Sequence, residues 1–334
     1  MNNNFTYSES LRFERLSDIF GYNFRITELY AAYLERFPTL ITPELIDMLC
    51  ADSALNAKDA IPALLSEAFG LDIDDAEDKR LIHSYLIPSV RILNTERYTE
   101  NPYYKNVRLT DTRLGDWEIR NEVYPAYRAF IAGDMIIGDD FSEIPPLGFF
   151  DKPFSFPAVL EGGNEWMTLT PVDLDTCDEA IEAAHGKVIT FGLGLGYYAY
   201  MASQKESVTS VTVIEKSPSV IELFTKVILP QFPNRDKIRI IEADAFEYAR
   251  VDMPSEHYDL AFVDTWRDAS DGAPMYLRMK ELEHLSQGTK FLYWIENFLI
   301  SKIRADRFVE IRRKTRDGEY IPYDEIIKRL TVIP

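Results

Sequence analysis

The run Val188-Ile189-Thr190-Phe191-Gly192-Leu193-Gly194-Leu195-Gly196 limits what this chain can fold into more than any other stretch. Four residues of strand character lead straight into three alternate glycines. A helical pattern starts at Tyr197 and lasts to about Gln204. A buried strand that stops there hands over to glycines, which let the backbone turn tightly and approach a ligand. The helix that follows faces that ligand with its first N–H groups. An α/β domain builds a nucleotide pocket in this way.

The pattern downstream agrees. Apolar strands at 210–214, 237–241, 258–263 and 289–295 alternate with helical stretches. Ser217-Pro218 opens one helix, and another covers 275–285 with Gly288 as its stop. Such alternation predicts a doubly wound, mainly parallel sheet with helices on both faces. Ligands then lie at the carboxyl ends of the strands. Acidic residues stand at three of those ends: Glu215, 19 residues after Gly196, then Asp244 and Asp264. A carboxylate at Glu215 can accept from both hydroxyls of a ribose. Asp244 could accept from the exocyclic amine of a purine, with Ala245 beside it leaving room for a flat base.

With these residues the chain resembles the class I S-adenosylmethionine-dependent methyltransferases over about 160–334. Gly192, Gly194 and Gly196 match the family's G-x-G-x-G. Glu215 matches its ribose-binding acid, Asp244 its adenine-contacting acid, and Asp264 the residue after its fourth strand. The resemblance implies a Rossmann-like methyltransferase fold with S-adenosyl-L-methionine as cofactor. It departs at Thr190, where the family usually carries the acid that helps hold the ligand's ammonium group. Spermidine synthases share the fold and also lack that acid, but they carry an Asp inside the glycine turn, where this chain has Leu193 and Leu195. Aminopropyl transfer is therefore the alternative to methyl transfer. Locally, Asp264-Thr265-Trp266-Arg267 followed by Glu296-Asn297 resembles catechol O-methyltransferase. That likeness implies Trp266 stacked on the adenine, and it raises a magnesium site of Asp264, Glu296 and Asn297; no metal is expected. Arg267 replaces a catalytic Lys, and an always-charged guanidinium is a poor base. Asp264 is the expected catalytic residue, taking the acceptor's proton, with Asp268 as an alternative.

The N-terminal part reads differently. Apolar residues recur at helical spacing up to Pro38, and Thr42-Pro43-Glu44 starts another helix. Helices are expected over 59–69, with Gly70 as the stop, and over 81–93, interrupted at Pro88. The acidic run 72–78 reads as a loop and helix cap, since it lacks the glycine and last glutamate of a calcium loop. Strands are expected at 106–110, 117–120 and 166–169, and a short helix at 124–131. Thr176 with Glu179 fits a capping box. Phe149, Phe150, Phe154 and Phe156 read as core. Pro145-Pro146 is the linker candidate, which places a mainly helical accessory domain at 1–145 and the methyltransferase-like domain at 146–334. The tail offers only 308–311 and 330–333 as an antiparallel strand pair.

Composition excludes some partners. The formal charge of −19 repels a phosphate backbone, so nucleic acid is not expected, although the basic stretch 302–314 could form a local patch. No apolar run reaches the roughly 18 residues of a membrane span, and MNNNFTYSES lacks the parts of a signal peptide. Two distant cysteines, Cys50 and Cys177, suit a reducing compartment, and a cytoplasmic protein is expected. The expected partner is a small-molecule acceptor, and a homo-oligomer is compatible with the sequence. Two rivals stand beside group transfer. Gly194 to Ala199 also fits the G-x-G-x-x-A of a nicotinamide enzyme, and a non-catalytic S-adenosylmethionine-binding module would share the same fold.

Overall fold

The computed structural model describes residues 5–52, 55–109 and 112–333. The chain divides into two compact units whose segments interleave in sequence. One comprises residues 1–93, 125–152 and 297–334; the other comprises 94–124 and 153–296.

The second unit contains the predicted sheet. Its strands are β1 (Gly186–Phe191), β2 (Val208–Glu215), β3 (Ile238–Glu242), β4 (Leu260–Val263) and β5 (Lys290–Tyr293). They pair in the order β3-β2-β1-β4-β5, every pair parallel. This is the Rossmann-like order of the class I methyltransferase fold, reversing direction between β1 and β4. Right-handed crossovers then place helices on both faces. The strands are almost wholly apolar where they are central: Val188, Ile189, Phe191, Leu260, Ala261 and Val263 are fully buried. Helices α1 (Tyr197–Gln204), α2 (Pro218–Leu223), α3 (Ala245–Val251) and α4 (Ala269–Leu282) follow β1 to β4. Beside this sheet the unit carries an antiparallel one, with strands 112–114, 117–124, 154–161 and 164–168 in that order.

The first unit is mainly helical. A 30-residue helix, Tyr7–Arg36, opens with a capping box between Thr6 and Glu9. Its buried face, Leu16, Phe20, Asn23, Ile26, Tyr30 and Tyr33, recurs every three or four residues. Phe20 stacks on Phe308 of the helix Glu296–Arg316, with ring centroids 4.0 Å apart. The expected helix starts at Pro43 and Asp75 and the stop near Gly70 are all present. Among the described residues, no helix is long and apolar enough to cross a membrane.

Several local expectations are corrected. The segment 81–93 is not one helix. A π-turn at Ile82–Leu86 ends at Ser89, and Val90–Leu93 is a strand pairing with Leu147–Phe150. The stretch predicted as a strand at 106–110 follows a helix, Pro102–Asn106, while Thr110 lies outside the described residues. The predicted helix at 124–131 is a strand end, a turn and the short strand Phe130–Ile131. Asn101, which caps the helix at 102, and Pro125, which lacks the N–H a helix would use, are the local reasons. The capping box sits at Thr170 and Asp173 rather than Thr176 and Glu179. No strand pair forms at 308–311 and 330–333. Both stretches are helical or follow a helix, and Phe308, Ile311 and Leu330 pack in one cluster with Leu16 and Phe20 of the helix Tyr7–Arg36. The four phenylalanines at 149–156 are buried, as expected.

Candidate functional site

The three glycines all take positive φ: +97° at Gly192, +51° at Gly194 and +75° at Gly196. Each has a distinct neighbour. A Cβ at Gly192 would lie 1.8 Å from the backbone carbonyl of Asp264. One at Gly196 would meet the rings of Phe224 and Phe232 at 2.3 and 3.2 Å. These two glycines let strand end and helix start approach their neighbours. At Gly194 the neighbour is different. A Cβ there would lie 2.7 Å from Sδ of Met167, the far end of a flexible side chain.

The loop is held from two sides. Leu195 O accepts from the buried Tyr103 hydroxyl at 2.6 Å, and Asn101 Nδ2 donates to the Tyr197 hydroxyl at 2.9 Å. Glu215 accepts from Leu193 N at 3.2 Å and from Ser217 N at 2.7 Å. The expected ribose ligand therefore spends its carboxylate on the backbone of the glycine turn and of the entry to α2. A backbone carbonyl donates nothing, so the first-turn N–H groups of α1 remain the donors aimed from this loop.

Asp244 lies on the same sheet edge as Glu215, one strand over, and Ala243 N donates to Glu215 O at 3.0 Å. Asp244 caps α3, accepting from Phe246 N and Glu247 N at 3.1 Å each. Its other oxygen faces Lys216 at 3.6 Å. Ala245 is the first helical residue after this cap. Trp266 is 5% exposed and stacks on Tyr293, with centroids 6.3 Å apart. Its Nε1 is buried without a hydrogen-bond partner among the described residues. Asp268 caps α4 in a capping box with Asp271, and Arg267 is exposed beside Asp271. Two residues of the oxygen set considered for magnesium have other partners. Glu296 accepts from Tyr276 at 2.7 Å, and Asn297 donates from its side chain to Met135 O at 2.9 Å. Among the described residues, no group of three His, Cys, Asp or Glu side chains is placed to hold a metal ion.

Beneath the glycine loop lies a narrow cleft lined by Met167, Asp173, Cys177, Thr190 and Asp264. Its volume is about 30 Å³, room for a water or two. Burial, with Asp173 and Glu215 close by, pushes the Asp264 carboxyl up to about 8. Burial pushes Asp173 up to about 6, against the hydrogen bonds it accepts from Thr170 N and Oγ1 at 2.7 and 2.8 Å. The Cys177 thiol is also pushed well up by burial, with both aspartates adding to the effect. No Lys or Arg is among the described residues lining the cleft. Sequence reasoning found Asp264 here but missed Asp173, Cys177 and Met167. Asp173 had one signal: Thr170-Pro171 followed by Asp173 is a helix start with its acid at the third position.

Searches for known relatives find only distant similarity to solved structures. Spermidine synthase from Thermotoga maritima is 14% identical over 60% of this chain and 62% of its own, with a TM-score of 0.33. Precorrin 8W decarboxylase from Methanobacterium thermoautotrophicum is 18% identical over 45% of this chain and 73% of its own, with a TM-score of 0.30. The chain thus spans less than two thirds of the synthase. No protein-family model and no curated protein matches it.

Proposed function

We propose that the sheet unit binds an adenosyl sulfonium donor, S-adenosyl-L-methionine, at the glycine loop and transfers its methyl group to a small-molecule acceptor. The observation that carries this is the acidity of the cleft. The carboxyls of Asp173 and Asp264 line it, and no Lys or Arg is among the described residues that do. A cationic sulfonium and ammonium are favoured in such a place, whereas the pyrophosphate of a nicotinamide cofactor is repelled. Bound, the sulfonium supplies an electrophilic methyl carbon. Asp264 is the group that takes the acceptor's proton. With its carboxyl up at about 8, it holds its own proton at neutral pH, and a neighbouring sulfonium would lower that value toward the working range of a base. Asp173 keeps the cleft negative, and the helix start at Tyr197 offers N–H groups to a carboxylate.

One observation favours a second reading, aminopropyl transfer from the decarboxylated donor. Among the described residues the cleft has no Lys or Arg for the methionine carboxylate, and the decarboxylated donor lacks that group and carries one more net positive charge. Calorimetry with S-adenosylmethionine, its decarboxylated form and NAD separates the readings. Tightest binding of S-adenosylmethionine, with S-adenosylhomocysteine as product in the presence of acceptors, supports methyl transfer. Preference for the decarboxylated donor moves the assignment to aminopropyl transfer, and preference for NAD overturns both.

A further inference from the structure

The cleft is an order of magnitude smaller than a small-molecule site, roughly 300–1,000 Å³, against about 30 Å³ here. The reason is local. The glycine loop is tied down by Tyr103, Asn101 and Glu215. The backbone at Gly192 is pressed against Asp264, and Gly196 against two aromatic rings. At Gly194 the neighbour is instead the far end of a flexible side chain: the thioether of Met167 rests there, where an ordinary glycine loop leaves space for a ligand.

Met167 is built to move. It is half-buried, so it has a way out to solvent. It sits near the end of the outer strand Asn164–Thr168 of the antiparallel sheet, next to a register irregularity opposite Val159 and Leu160. Such bulges re-aim side chains at the edges of sheets. Methionine is unbranched, with three rotatable bonds and a polarizable sulfur, so it changes rotamer at low cost. Its end, CH2–CH2–S–CH3, also has the shape of the methionine arm of the ligand proposed above, without the charge of that ligand's sulfonium.

We propose that Met167 is the gate of the glycine-loop cleft: its side chain fills the place of the donor's methionine arm and must swing away before a ligand can lie over Gly194. This rests on the adenosyl-donor reading. A gate that is closed most of the time lowers apparent affinity by the fraction of molecules that are open, so shortening the side chain removes that penalty. Met167 thereby selects for ligands able to displace it, and a bulkier side chain on the same strand would close the cleft.

The test measures binding of S-adenosylhomocysteine and 5′-methylthioadenosine to the full chain by calorimetry. Thermal melting checks that each variant is folded. Met167→Ala is expected to bind at least one probe on the order of tenfold more tightly than the wild type, while Met167→Leu, of similar volume, stays within about twofold. Met167→Phe is expected to weaken binding by a comparable factor, which keeps the proposal testable should the alanine variant not fold. Equal affinities in the wild type and the alanine and phenylalanine variants overturn the gate and leave the adenosyl-donor reading standing. Weaker binding by Met167→Ala also overturns the gate, making Met167 a wall of the site instead. No binding of either probe by wild type or Met167→Ala overturns the donor reading and the gate with it.

Discussion

Asp264 shows how a single carboxyl couples the cleft to pH. In the unfolded chain it loses its proton near 3.8; in the folded chain it holds the proton to about 8. Between those values the folded state binds more protons than the unfolded one, so this group makes stability fall as pH rises from about 4 to about 8. Asp173 adds a smaller fall between 3.8 and about 6. Asp264→Asn removes the first contribution. Thermal melting between pH 4 and 8 should show a shallower decline in the variant than in the wild type, and the largest gain in melting temperature at pH 8. Equal slopes would mean that Asp264 is solvated and ionised like a surface carboxylate. Thr190 carries no such role. It is buried within β1 beneath the loop, and the acids of the cleft come from Asp173 and Asp264 on other elements.

At the scale of elements, three of the carboxylates along the strand ends have local structural duties. Glu215 holds the glycine turn, Asp244 starts α3 and Asp268 starts α4. This is a general consequence of parallel sheets: each strand end is followed by a helix start, which needs an acceptor. Sequence reasoning located these acids at the right edge of the sheet, since strand ends are legible from apolar runs and the residues that break them. It could not separate a cap from a ligand, because both call for an oxygen at the same place. Asp244→Ala should cost about 1 kcal/mol through the lost cap, read by chemical denaturation. If Asp244 also touches adenine, as the resemblance to the methyltransferases implies, affinity for S-adenosylhomocysteine falls as well, and Asp244→Asn, which keeps the cap, still loses part of it. Unchanged affinity in both variants would leave Asp244 a cap alone.

For the whole molecule, the C-terminal residues belong to the helical unit that also contains the N-terminus. Phe308, Ile311, Ile326 and Leu330 pack with Leu16 and Phe20 in one cluster. Inside the same unit Glu143, 3% exposed, is held by Ser301 at 2.7 Å and Arg304 at 3.4 Å, while Asn23 donates to Phe141 O and accepts from Glu143 N. Within the basic stretch 302–314, Lys302 pairs with Asp306, Arg304 with Glu143 and Lys314 with Glu310, while Arg312 and Arg313 are exposed. Phe308→Ala should cost roughly 3–5 kcal/mol, the usual loss for a fully buried phenylalanine. Denaturation followed by hydrogen exchange should place that loss in residues 7–36 and 297–331. A loss confined to the parallel sheet would contradict the cluster.

The sequence by itself determined the parallel sheet, the glycine turn and the acids along its carboxyl edge. These depend on short-range patterns: apolar runs of strand length, glycines at alternate positions and helix starts within a few residues. Only the tertiary structure decided what lies over the glycines and which segments share a core. Met167 and Asp173 reach the cleft from a separate strand and a short helix, and residues 308–330 pack on a helix that begins at Tyr7. Such contacts join residues far apart in the chain, where an apolar side chain in a helix reads alike whatever partner it finally buries against.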